Sequence, residues 1–282
     1  MHDHSDILID LALSEDIGEG DVTTSYFVPE GRQARAFVAV RKAGVVSGVD
    51  LAARVFAKVD PALDVEILIP DGSRVGTGAL LMSVQGSARS ILTAERTTLN
   101  FLQRLSGVAT LTATYVDLVK GTAARILDTR KTTPGYRMLE KQAVVHGGGT
   151  NHRLGLYDRA MLKDNHLFTD GGLAGIQAAI HRLKADRPGI EVELEADHLD
   201  QLRAFLTLEG VDHVLLDNMS IEELTEAVAI RGERVTPQLE ASGGVTLETL
   251  RAIAETGVDF ISVGALTHSA PALDIGLDFT PI

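Results

Sequence analysis

EVELEADHLDQLRAFLTLEGVDHVLLDN (191–218) decides the fold. EVELEA (191–196) alternates charged and apolar residues with the period of two that a strand imposes, and HVLLDN (213–218) is a second short apolar run. Between them LDQLRAFLTL (199–208) spaces its apolar residues as a helix does. A strand–helix–strand unit of this kind implies parallel strands joined by a crossover helix. The pattern repeats outward in both directions. Downstream, IEELTEAVAI (221–230) leads to QLEASG (238–243), and LETLRAIAET (247–256) leads to FISVGA (260–265). Upstream, ARILDTR (124–130) and AMLKD (160–164) flank YRMLEKQAVV (136–145), and LAGIQAAIHRLK (173–184) follows them. Roughly six units in succession suit an α/β barrel better than a doubly wound sheet.

The polar residues favour the same answer. Nearly every run ends on a charged or hydrogen-bonding residue: Asp128, Thr129, Arg130 and Lys131; Lys163 and Asp164; Glu195; Asp217 and Asn218; Ser242, Gly243 and Gly244; Gly264. A barrel brings all C-terminal strand ends to one mouth, where barrel enzymes hold their sites. One polar residue opening a loop is unremarkable, but a row of them is explained by convergence.

The first part of the chain reads differently. A short helix near Ile7–Leu13, strand-like ARAFVAV (34–40), DVEILIP (64–70) and ALLMSV (79–84), and a helical DLAARVFAKVD (50–60) describe an α+β layer domain. From Ser90, ILTAERTTLNFLQRLSG forms an amphipathic helix on Leu92, Leu99, Leu102 and Leu105, with Gly107 just past its end. The expected fold is therefore α/β. An N-terminal α+β, sandwich-like domain covers 1–107. A C-terminal α/β barrel, complete or incomplete, covers 108–267, and 268–282 is open to joining the first domain.

Composition narrows the function. The chain has 282 residues, 45% of them hydrophobic, and a net charge of −13. That acidity argues against nonspecific nucleic-acid binding. No apolar run is long enough to span a bilayer, and the acidic N-terminus lacks the features of a secretory signal. The absence of Cys excludes disulfides, thiolate nucleophiles and zinc–thiolate sites, and fits a reducing cytoplasm. The charge is uneven, however. Residues 96–163 hold eleven Lys and Arg against four Asp and Glu. A lined basic cleft in an acidic protein concentrates an anionic substrate, and a solvated basic face is the plainer alternative.

The basic stretch, DTRKTTPG (128–135), HGGGTNHR (146–153) and MLKDNH (161–166), gathers Arg130, Lys131, Arg153 and Lys163 near the first strand ends. Arginine forks match carboxylates and lysine adds a point charge. So many cations imply a ligand with more than one carboxylate, or one carboxylate and a phosphate, and Arg96 on the preceding helix is placed to join them. His152 is either part of that set or a structural histidine at a turn, and His166 equally caps a loop. The late ends ASGG (241–244) and SVGA (262–265) suit a phosphate bound on backbone N–H groups, with Ser242 adding a hydroxyl. Glu191, Glu193 and Glu195 share one strand face. Glu195 and Asp217, at neighbouring ends, suit sugar hydroxyls or a Mg²⁺-bound diphosphate. Pairing with Lys or Arg inside the barrel is the alternative, above all for Glu191 and Glu193. No Walker A loop, G-x-S-x-G or H-E-x-x-H is present.

Taken in order, ALSEDIGEGDVTT (12–24), TAER (93–96), LSGVAT (105–110), LDTRKTTPG (127–135), LEKQAVVHGGGTNHR (139–153), LKDNH (162–166), LLDN (215–218), EASGG (240–244) and VDFISVGALTHSAPALD (258–274) resemble the quinolinate phosphoribosyltransferases. These are also called carboxylating nicotinate-nucleotide pyrophosphorylases. The resemblance covers nearly the whole chain. It implies that quinolinate and 5-phosphoribosyl 1-diphosphate give nicotinate mononucleotide, diphosphate and CO₂ with Mg²⁺, in a cytoplasmic homodimer. It implies that Arg130, His152, Arg153 and Lys163 hold the quinolinate carboxylates, with Arg96 arriving from a neighbouring subunit. Lys131 would lie between quinolinate and diphosphate. Glu195 and Asp217 would hold ribose hydroxyls and metal, with Glu193 left open as the alternative to Glu195. Ser242, Gly243, Gly244, Val263 and Gly264 would hold the 5-phosphate. Lys131, Lys163, Glu195 and Asp217 are the implied catalytic set. Three rivals remain at this stage: a related barrel acting on nicotinate, a noncatalytic metabolite-binding barrel, and a Schiff-base aldolase using Lys163 or Lys131.

Overall fold

The computed structural model describes residues 4–163 and 171–281. In chain order its first elements are α1 (Ser5–Ile17), α2 (Val22–Phe27), β1 (Gln33–Val40), β2 (Gly44–Val45), α3 (Val49–Val59), β3 (Asp64–Ile67), β4 (Arg74–Val75), β5 (Leu80–Ser87) and α4 (Ala88–Leu118). There follow β6 (Arg125–Leu127), α5 (Arg137–His146), β7 (Arg159–Leu162), α6 (Gly172–Asp186), β8 (Glu191–Ala196), α7 (Leu199–Phe205) and β9 (His213–Asp217). The last are α8 (Ile221–Arg231), β10 (Gln238–Ser242), α9 (Leu247–Glu255), β11 (Phe260–Ser262), α10 (Ala265–His268) and β12 (Ile275–Pro281).

The chain forms two compact units, and they are not consecutive blocks. One comprises Met1–Ala113, Thr132–Gly148 and Leu266–Ile282; the other comprises Thr114–Lys131 and Gly149–Ala265. The segment that carries α5 thus belongs with the first unit, although its helical pattern reads in sequence like any other crossover.

In the first unit an antiparallel sheet runs in the order β12-β1-β5-β3. Strand β1 turns Ala34, Ala36, Val38 and Val40 inward, the alternation expected of a half-buried strand. Against that face pack Phe56 of α3 and Ile91, Leu99 and Leu102 of α4, all nearly or wholly buried. Asp21 caps α2 by accepting the Thr24 N–H at 2.9 Å. Helix α4 corrects the sequence reading. It does not end at Gly107 but runs through it to Leu118. Gly107 is there because a side chain would not fit: a Cβ would lie 2.1 Å from the Pro271 carbonyl oxygen.

The second unit is a parallel sheet in the order β6-β11-β10-β9-β8-β7. The first strand in sequence lies beside the last, which is the winding of a barrel. Among the described residues β6 and β7 do not pair, so the barrel is open there. Thr150 extends the β6 edge, donating its N–H to the Ile126 carbonyl at 2.8 Å and accepting from the Asp128 N–H at 3.2 Å. Register sets the interior in layers. Arg159 lies level with Glu191, Met161 with Glu193 and His213, Glu195 with Leu215 and Glu240, and Asp217 with Ser242. Stacked side-chain layers are how a barrel fills its interior.

Candidate active site

The C-terminal ends of these strands open on a cavity of about 480 Å³. Thr129, Arg130, Lys131, His152, Arg153, Lys163, Glu195, Asp217, Ser242, Gly243 and Gly244 line it, all of them singled out from sequence. Met161, Leu215, Asn218, Glu240 and Ser262 complete the lining. Three expected residues are elsewhere. Arg96 is exposed on α4 and does not line the cavity. Val263 is buried and its N–H donates to the Leu127 carbonyl at 3.0 Å, so that donor already serves the sheet. Gly264 is half-buried and outside the lining. Asp164 and His166 lie outside the described residues.

The cations are crowded. Burial, and then the neighbouring Arg130 charge, hold the Arg153 guanidinium below its ordinary value. Like charges held together in a cleft are relieved by an anion. Lys163 is ion-paired with the largely buried Glu195. The other two glutamates of β8 also find cations. Glu191 lies 2.6 Å from Arg159 and 3.3 Å from His213; Glu193, wholly buried, lies 3.2 Å from His152 and 3.5 Å from Arg159. All three carboxylates are paired, Glu191 at the exposed start of its strand and Glu193 and Glu195 in the interior, but only Glu195 reaches the cavity.

His152 is buried, with Nε2 directed at two carboxylates, Glu193 at 3.2 Å and Glu240 at 3.4 Å. Its Nδ1 accepts the Arg153 N–H at 2.6 Å, and its own N–H donates to Asp128 at 2.8 Å. Burial pushes the imidazole pKa down and Glu193 and Glu240 raise it, so these carboxylates hold a proton on Nε2, while Nδ1, which accepts the Arg153 N–H, stays unprotonated. Burial, and then Glu193, push the Glu240 carboxyl up.

At the other end of the mouth, Asn218 sits at φ 53°, unusual for a residue other than glycine. Its N–H donates to the Ser242 carbonyl at 2.8 Å and its amide donates to Asp217 at 2.7 Å. Gly243 (φ 92°) follows Ser242, and a Cβ there would lie 2.1 Å from the Asn218 side-chain oxygen. Glu195, Asp197 and Asp217 each offer one oxygen, all within 4.8 Å of one another. Oxygen donors at this spacing suit a hard divalent cation such as Mg²⁺.

Sequence reasoning passed over Glu240, Arg159 and Asp197. The signal for Glu240 is its place two residues before Ser242, hence one layer deeper on the same face. Arg159 stands in the same relation to Met161 and Lys163. Asp197 follows its strand directly, and only the turn after β8 brings it back to Glu195.

An open parallel barrel whose strand ends gather arginines, lysines and carboxylates around one cavity is an enzyme for anionic small molecules. The family models for the quinolinate phosphoribosyl transferase N-terminal and C-terminal domains match residues 21–106 and 108–278. The chain is 46% identical over 271 residues to the carboxylating nicotinate-nucleotide pyrophosphorylase of Mycobacterium leprae, covering 95% of this chain and 94% of that protein. It is 43% identical to a decarboxylating quinolinate phosphoribosyltransferase of Nicotiana glauca, covering 96% of this chain and 80% of that one. The solved nicotinate-nucleotide pyrophosphorylase of Francisella tularensis superposes with a TM-score of 0.90 at 40% identity, covering 98% of this chain and 97% of that one. The chain belongs to the quinolinate phosphoribosyltransferase family.

Proposed function

We propose that the barrel mouth transfers the phosphoribosyl group of 5-phosphoribosyl 1-diphosphate to quinolinate, with loss of CO₂, giving nicotinate mononucleotide and diphosphate for NAD synthesis. The observation that carries this reading is the crowding of Arg130, Lys131, Arg153 and Lys163 in the same cavity as Glu195, Asp217 and the Ser242–Gly244 turn. One dicarboxylate, one ribose, one 5-phosphate and one diphosphate account for all of them. Arg130, Arg153 and Lys163 hold the quinolinate carboxylates, and Lys131 faces both acid and diphosphate. Glu195 and Asp217 take the ribose hydroxyls, and Ser242, Gly243 and Gly244 take the 5-phosphate. Glu195, Asp217 and Asp197 would hold Mg²⁺, which supplies charge stabilisation to the leaving diphosphate when bound.

The residues act by position and field. As diphosphate departs, the ribose becomes oxocarbenium-like; Glu195 and Asp217 favour that positive charge, and Lys131 favours the charge on the leaving group. Arginine forks on the acid hold the pyridine nitrogen in line with the anomeric carbon. Once N1 is alkylated, the cationic ring stabilises the electron pair left on C2 when its carboxylate departs as CO₂, and C2 then takes a proton from water, so no protein base is required. The same reading makes the enzyme a cytoplasmic homodimer, with Arg96, exposed on α4, completing the site of a neighbouring copy.

The test is a steady-state assay with phosphoribosyl diphosphate, Mg²⁺ and either quinolinate or nicotinate. Nicotinate mononucleotide should form from quinolinate alone, and excess EDTA should abolish it. Turnover of nicotinate in place of quinolinate would overturn the substrate. Within the phosphate turn, Gly243→Ala should weaken phosphoribosyl diphosphate by about tenfold or more, since its Cβ displaces Asn218. Gly244→Ala, at φ 59° but with nothing within 4 Å, pays only backbone strain of about 1 kcal/mol. Calorimetric titration of the two variants separates these cases.

A further inference from the structure

Glu240 has no part in the transfer just described, yet it is the most deeply enclosed carboxylate at the mouth, wholly buried. One oxygen accepts a hydrogen bond from the Ser262 hydroxyl. The other lies 3.4 Å from Nε2 of His152, which Glu193 approaches to 3.2 Å. On the far side of the ring, Nδ1 takes the Arg153 N–H at 2.6 Å. Both imidazole nitrogens are thus engaged by the protein, one by buried carboxylates and one by the main chain of a cavity-lining arginine. An uncharged amide at position 240 would serve Ser262 as well as a carboxylate does. The second carboxyl oxygen faces only the ring. A buried charge without a partner costs far more than the hydrogen bonds it makes, so the arrangement holds only while imidazole and carboxylate face each other.

We propose that Glu240 is a positioning residue for the acid-binding end of the mouth: it fixes Nε2 of His152 from below, and through Nδ1 fixes the main chain from which Arg153 reaches the substrate carboxylate. His152 then acts as a strut between Glu240 and Arg153. The identity of the acid rests on the reading of quinolinate as acceptor; the link from Glu240 to His152 does not.

Two measurements on the full-length protein test this. Calorimetric titration of Glu240→Gln should show quinolinate weakened by about tenfold or more, while phosphoribosyl diphosphate stays within about twofold of the wild type. A role confined to general stability would lower both affinities together, and that result, or an unchanged quinolinate affinity, overturns the proposal. Nitrogen NMR of histidine-labelled protein supplies the second reading without any ligand. Wild-type His152 should carry its proton on Nε2 at neutral pH, and Glu240→Gln should shift its ring nitrogens. A wild-type ring protonated on Nδ1 alone overturns the proposal even if the variant does not fold, as does a ring that the substitution leaves unmoved. If wild type fails to bind quinolinate, the acceptor assignment falls, and the ring signals still decide the link between Glu240 and His152.

Discussion

Lys163→Ala is expected to lower kcat/KM for quinolinate by roughly 10²–10³-fold, the usual consequence of losing one preorganised charge from a transition-state site. Two effects add here. The first is loss of a cation that meets the acid substrate. The second lies in what Lys163 leaves behind. Glu195, its ion-pair partner, is largely buried and belongs to a trio with Asp197 and Asp217 whose oxygens lie within 4.8 Å of one another. Without the ammonium group, Glu195 loses its ion-pair partner as the dicarboxylate approaches, and like charges at this range repel strongly where water is excluded. The second effect makes a distinctive prediction. Lys163→Ala combined with Glu195→Gln should bind quinolinate better than Lys163→Ala alone, because the unpaired charge has gone, although kcat stays low. Residues in one ion pair are non-additive in this way. A Lys163→Ala enzyme that keeps most of its kcat/KM would remove electrostatics as the main source of catalysis. A strictly additive double variant would show that the pair is incidental to acid binding.

The position of these groups was legible in the sequence to the extent that strand periodicity speaks for itself. EVELEA, HVLLDN and QLEASG lie in β8, β9 and β10, and their polar ends converge on one cavity because parallel strands of a barrel all point the same way. The deeper layer was not legible. Glu193, Glu240 and His152 come from two strands and a loop, and their meeting depends on the register that sets Glu195 and Glu240 level with Leu215. Register is a property of paired strands and leaves no trace in any one of them. Segment 132–148 misled for a different reason. Its helix carries the amphipathic pattern of a crossover, and the pattern records only that one face is buried, not which sheet buries it. Strand β12 went unread because a run such as IGLDFTP (275–281) gains strand character from its long antiparallel pairing with β1 more than from its own composition.

Gly107→Ala should destabilise the protein by roughly 2–4 kcal/mol, against the sign that helix propensity alone would give. Gly107 lies inside α4, a helix of 31 residues. At an exposed position inside a helix, exchanging Gly for Ala gains about 1 kcal/mol, because Ala loses less backbone freedom. Here the added Cβ would meet the Pro271 carbonyl oxygen at 2.1 Å and the Ala272 Cα at 3.1 Å. Both neighbours are main chain, so no rotamer change relieves the overlap, and α4 or segment 271–272 must withdraw. Withdrawal is resisted from both sides. The Leu273 N–H donates to the Gln103 carbonyl at 2.9 Å, holding that segment to the helix, and Gly147 meets the same helix so closely that its own Cβ would lie 2.4 Å from the Ala109 carbonyl oxygen. Urea unfolding should therefore show a lower midpoint for Gly107→Ala with an unchanged slope, and Gly31→Ala, which has nothing within 4 Å, should not differ from wild type. A raised midpoint for Gly107→Ala would mean that the segment yields at little cost and that propensity governs the position. The contrast also explains the misread helix end: a glycine that terminates a helix and a glycine that lets another chain lie against it are the same letter, and only the approach of Pro271 separates them.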